Sequence, residues 1–149
     1  MTTPGYQQII SSSETDRRGL YLATAARLGT PLGNVEKDFW VCWTLDQLYR
    51  NRRADQPRLL FKGGTSLSKA HGLIKRFSED IDVTVYRDDL GQPASVADLE
   101  RLSGKKRQTK LDDIKAACAA YIGGELRDEL GRRLADATDG KGKVEIDPD

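Results

Sequence analysis

One stretch limits what this chain can fold into more than any other. Phe61-Lys62-Gly63-Gly64-Thr65-Ser66-Leu67 is followed, after a short gap, by Arg76-Phe77-Ser78-Glu79-Asp80-Ile81-Asp82-Val83. Leu59, Leu60 and Phe61 form an apolar run that stops at a glycine pair, as a buried strand does when it enters a tight turn. Thr65 to about Gly72 reads as a short helix. Beyond it, Ile81, Val83 and Val85 alternate with Asp80, Asp82 and Thr84, which predicts a second strand over about 80–86 with one buried face. In that register Asp80 and Asp82 stand side by side on the opposite face.

Two carboxylates held that close repel each other, and both stay ionised only with a cation between or beside them. Hard cations such as Mg²⁺ (or Mn²⁺) take oxygen ligands and are usually held by one or two carboxylates together with substrate phosphates. The glycine turn supplies the complementary half. Without side chains at Gly63 and Gly64, backbone N–H groups can approach a phosphate, and the helix start that follows favours negative charge. The Ser66 hydroxyl sits where it can donate to a phosphate oxygen. Lys69, one turn further on, either leans back toward phosphate or is a surface lysine. Acids and cradle together predict a nucleotide site.

GGTSL followed by RFSEDIDV resembles the first motif of the nucleotidyltransferase superfamily, Gly-Ser and then Asp-x-Asp. The longer wording FKGGTSLSKAHGLIKRFSEDIDV is similar to the AbiEii/AbiGii toxin family, the nucleotidyltransferase half of bacterial toxin–antitoxin and phage-abortive systems. VEKDFWVCWTLDQLY at 35–49 resembles the segment that precedes this motif there, and the similarity runs from about Arg17 to the chain end. The resemblance implies an α+β fold, a small mixed sheet flanked by helices. It implies Asp80 and Asp82 as metal ligands and catalytic groups, with Ser66 and Lys69 beside them. Lys62, Gly63, Gly64, Thr65, Ser66 and Arg76 would face the nucleotide. The implied reaction moves a nucleoside monophosphate from a nucleoside triphosphate to an RNA (a tRNA end among the candidates) or to a protein, with an antitoxin encoded nearby. The superfamily normally adds a third carboxylate from a neighbouring strand. Glu145 and Asp147 are the late candidates, in a stretch (143–149) that alternates like the start of a strand. The family is typically longer than this chain, so a truncated domain is expected. The alternative is a catalytically incomplete module that binds nucleotide or a partner without turnover.

The rest of the chain suits one domain. It has 149 residues and a net charge of +1 from 24 basic and 23 acidic side chains, so no global field argues for nucleic acid. Arg50-Asn51-Arg52-Arg53 and Lys105-Lys106-Arg107 are local basic clusters, read first as solvated loops or helix ends. No apolar run of about 18 residues or more is present, which predicts no membrane span. No signal peptide is expected, because a basic stretch followed by an apolar one is not seen at residues 1–30, and Cys42 and Cys118 read as buried free thiols in a reducing cytoplasm. A single histidine, His71, rules out two-histidine chemistry and the usual zinc sites.

In chain order, residues 1–13 read as a flexible lead or a weak first turn and 14–50 as two helices, the first over 14–28 and ended by Gly29 and Pro31. Asn34 is the expected N-cap of the second, from Val35 to about Arg50. Asp38 and Asp46 fall on its apolar face. Each either pairs with an arginine or a backbone N–H, or, for Lys37 and Asp38, lies near the nucleotide. Residues 59–86 form the nucleotide and metal core, and 96–135 are helical. Within 92–110 a short helix (Val96–Leu102) and a mobile basic loop are expected, and Gly123-Gly124 breaks or kinks the last helix.

Overall fold

The computed structural model describes residues 3–50, 52–69 and 79–148. Helices α1 (Pro4–Ser11), α2 (Glu14–Leu28) and α3 (Leu32–Tyr49) lead into strand β1 (Leu59–Lys62) and helix α4 (Gly63–Lys69). Strand β2 (Asp82–Val85), a 3-10 turn over Arg87–Leu90 and helices α5 (Val96–Arg101), α6 (Gly104–Tyr121) and α7 (Arg127–Ala137) follow. The class is α+β, as expected. Among the described residues the sheet has two strands and is antiparallel rather than mixed, with Leu59 opposite Val85 and Lys62 opposite Asp82. Leu59, Phe61, Val83 and Val85 turn inward, while Leu60, Lys62, Asp82 and Thr84 face out. That is the period of two read from the sequence.

Residues 4–11 correct the expectation of a flexible lead. Pro4 stands in the first turn of α1, where its missing N–H costs nothing. The helix is held by partners far along the chain. Thr3 Oγ1 donates to Asp46 at 2.9 Å, Tyr6 meets the Phe39 ring edge-on at 5.6 Å, and Gln7 Nε2 donates to the Ala137 carbonyl at 3.5 Å. Asp46, nearly buried, is also paired with Arg50 at 2.6 Å, so its place on the apolar face is explained by partners. Helix α2 has the predicted span. The Ser13 side chain caps it by accepting from Asp16 N, and Gly29 closes it at φ 63°, a left-handed conformation that favours glycine. Helix α3 begins at Leu32, earlier than expected. Its N-cap is Pro31, and Asn34 instead donates from its side chain to Thr30 Oγ1.

The expected basic loop before α6 is also helical. Ser103 accepts from Lys106 N at the N-cap, and the Arg107 guanidinium donates to the carbonyls of Leu99, Glu100 and Leu102. Three cations in a first turn oppose the helix dipole. One of them is offset here because Arg107 satisfies the open carbonyls at the end of α5. The Gly123-Gly124 pair does not break the last helix. It makes a π turn over Ile122–Leu126 that carries α6 into α7. Residues 143–148 form no strand. They follow α7, with Ile146 against Gly123 and Gly142 against Leu134.

The core centres on α3. Trp43 is 1% exposed and packed edge-on against Trp40, and Val41, Leu48, Tyr21 and Ala25 are buried as well. A polar network ties α3 to α7: Gln56 Nε2 donates to Glu129 at 2.6 Å, Glu129 pairs with Arg133, and Arg133 Nη1 donates to the Gln47 carbonyl at 2.7 Å. Burial pushes the Glu129 carboxyl up, but the Gln56 and Arg133 contacts outweigh it and leave it below its ordinary value. A carboxyl lowered in the folded state stabilises in full above its unfolded pKa, about 4.3, and loses that contribution as pH falls through the folded value. Glu129→Gln is therefore expected to remove part of the acid limb of a pH–stability curve below about pH 4.3. At neutral pH it costs about 1–3 kcal/mol in urea unfolding, by leaving Arg133 short of its charged acceptor.

Candidate nucleotide and metal site

Gly63 follows directly on β1, at φ 78°. A side chain there would be strained by that conformation alone. It would also collide with the acid strand: a Cβ on Gly63 would lie 2.9 Å from Asp82 Cγ and 3.1 Å from Asp82 Cβ. Asp82 therefore rests on the glycine turn, and the bare backbone at Gly63 is what lets the carboxylate come so close. Lys62 is its cross-strand neighbour on the outer face, a cation one strand away.

Asp80 is placed differently from expectation. The ladder ends at the Lys62–Asp82 pair, because β1 turns away at Gly63, so Asp80 lies two residues ahead of the strand. It is exposed, and its carbonyl accepts from Thr65 Oγ1. Asp80 and Asp82 are thus close in the chain and both open to solvent, but only Asp82 has its direction set by the sheet.

The hydroxyls expected to face phosphate turn inward. Thr65 is fully buried, with its hydroxyl on the Asp80 carbonyl, and Ser66 is 5% exposed, with Oγ donating to the Phe61 carbonyl at 3.3 Å. Both side chains brace the turn against its neighbouring strands. The Ser66 hydroxyl, expected to donate to a phosphate oxygen, is given to the Phe61 carbonyl in this structure. The groups left to meet a ligand here are the backbone of Gly63 and Gly64 and the exposed Lys62. Lys69 does not lean toward the turn; its ammonium is paired with Asp38 of α3. Arg76, with His71 and the bridge over 73–77, lies outside the described residues.

Helix α3 brings in residues whose part the sequence left open. Asp38 holds Lys69, and the adjacent Lys37 is paired with Glu79, next to Asp80. Lys37, Trp40, Val41 and Thr44 line a hollow with Glu79, Asp80 and Ile81. Trp40 and Thr44 also line a larger cleft of about 740 Å³ that runs between α1, α3 and α7. The Cys42 thiol is pushed up by burial, with Lys69 acting in the other direction, which keeps it protonated rather than nucleophilic. No single-sequence signal pairs Lys37 with Glu79 across 42 residues. The only hint was two charges on an otherwise apolar face.

Among the described residues, neither Asp80 nor Asp82 has an ion-pair partner, and no three acidic, histidine or cysteine side chains converge to hold a metal. Glu145 is paired with Lys143 at 2.6 Å. Two carboxylates with no ion-pair partner among the described residues are the kind of oxygen donors that a hard dication takes together with phosphate oxygens.

The family description "Nucleotidyl transferase AbiEii toxin, Type IV TA system" matches residues 46–147. The chain belongs to this family. The match takes in the glycine turn, both acids and the helices behind them, and makes this a nucleotidyl transferase fold of a toxin–antitoxin family. The Lys37–Asp38 segment lies ahead of the matched stretch. No curated protein and no solved structure matches the chain. Among the described residues no helix is long and apolar enough to cross a membrane.

Proposed function

We propose that this chain transfers a nucleoside monophosphate from a nucleoside triphosphate to a hydroxyl of an RNA acceptor, a tRNA end among the candidates, with Asp80 and Asp82 at the reacting phosphate. The observation that carries the reading is Asp82 resting on Gly63, a carboxylate beside a bare-backbone turn within the stretch that the family match covers. Gly63 and Gly64 offer N–H groups to the phosphates, and Lys62, opposite Asp82, neutralises phosphate charge from the neighbouring strand. Mg²⁺ or Mn²⁺ held by the two carboxylates would supply charge stabilisation to the attacking and leaving oxygens. Thr65 fixes the backbone of Asp80, so the distance between turn and acids is set by a buried contact. An acceptor reaches the Asp80 hollow from the cleft that shares Trp40 and Thr44 with it.

The purified chain, incubated with Mg²⁺, each α-labelled nucleoside triphosphate in turn and total bacterial RNA, is expected to label RNA. Asp80→Ala/Asp82→Ala is expected to label none. Label in protein instead would move the acceptor to the protein class. A second reading, nucleotide binding without turnover, is favoured by one observation: no third carboxylate joins the pair among the described residues. Mg²⁺-dependent nucleotide binding without label transfer would establish that reading.

A further inference from the structure

We infer that Glu79 keeps the Lys37 ammonium off the metal-binding acids, so that the Lys37–Glu79 pair sets how readily the site takes a dication. The inference rests on the reading of Asp80 and Asp82 as metal ligands.

Lys37 shares a hollow with Asp80, yet its ammonium is on Glu79. Consecutive Cα atoms are about 3.8 Å apart, so an ammonium that reaches residue 79 reaches residue 80 by a change of rotamer along a flexible four-carbon stem. Asp80 is the better target by charge. Among the described residues it has no ion-pair partner, and the next carboxylate, Asp82, is two residues away. An ammonium seated there would have to be displaced before a dication could bind. Glu79 supplies the competing anion one residue earlier.

The alternative, that the pair is there for stability, is disfavoured by magnitude. Lys37 and Glu79 side chains are 58% and 49% exposed, and exposed ion pairs contribute little to folding. Glu79 as a third metal ligand is disfavoured because no three such side chains converge among the described residues. The pair lies at the mouth of the site, where a weak interaction that chooses between two anions still matters.

Mn²⁺ binding to the purified chain, followed by electron paramagnetic resonance of the free ion, tests this without any turnover. Glu79→Gln is expected to weaken Mn²⁺ binding about two- to fivefold. Lys37→Gln/Glu79→Gln is expected to return it to the wild-type level, and the melting temperatures of both should stay close to wild type. Unchanged binding in Glu79→Gln overturns the inference. Weakened binding that Lys37→Gln fails to relieve also overturns it, because Glu79 then acts as a ligand or through the fold. Asp82→Asn separates this from failure of the underlying reading. If wild type binds no Mn²⁺, or Asp82→Asn binds as wild type does, the metal reading falls and the inference with it.

Discussion

Gly63→Ala is expected to abolish nucleotide-dependent activity and to destabilise the fold. The left-handed backbone at φ 78° costs a non-glycine residue about 1–3 kcal/mol before any contact is counted. The new methyl would overlap the Asp82 carboxylate, whose Cγ would stand 2.9 Å away. Strand β2 is only four residues long and paired on one side by β1, so the cheapest relief is to swing the Asp82 side chain off the turn. That separates the acid from the phosphate cradle. Urea unfolding would show the backbone cost, and Mn²⁺ titration would show the lost acid. A Gly63→Ala chain with wild-type metal affinity would mean that Asp82 does not work from the position seen here.

The second large effect is at Trp43. It is 1% exposed in the middle of α3, with Trp40 5.9 Å away ring to ring. Trp43→Ala is expected to cost about 3–5 kcal/mol, because the surrounding helices cannot collapse fully into the space. That is a large part of the stability of a domain this size, and the melting temperature should fall by about 6–20 °C. Trp43→Phe separates volume from polarity. The indole Nε1 is buried without a hydrogen-bond partner among the described residues. Phenylalanine loses contact area but also removes an unsatisfied donor, and should cost clearly less than alanine. Equal costs would show that the indole N–H is satisfied in solution.

The sequence carried the central strand–turn–helix–strand well, because each signal there is local. Leu59 to Lys62 and Asp82 to Val85 alternate as two paired strands must, and the two glycines mark the turn between strand and helix. What it missed depends on partners far away. Helix α1 is only eight residues long, too short to be stable alone, and is ordered by Asp46, Phe39 and Ala137. Asp80 was placed on the strand because period two extends through it, but a ladder needs a partner and β1 ends at Lys62. The inward turn of the Thr65 and Ser66 hydroxyls follows from carbonyls at Asp80 and Phe61 that no linear pattern reveals. Lys69 was left open between a phosphate contact and a surface lysine. Its partner proves to be Asp38, 31 residues earlier in the chain.

Transfer of the α-phosphate unit at Asp80 and Asp82 can be read from the fate of the label. The chain is given the same nucleoside triphosphate labelled at the α-position and, in parallel, at the γ-position, with Mg²⁺ and RNA. The α-label is expected to enter the acceptor and the γ-label to leave as pyrophosphate, with Asp80→Ala/Asp82→Ala doing neither. Entry of γ-label into the acceptor, or undiminished α-label transfer by the double variant, would contradict it.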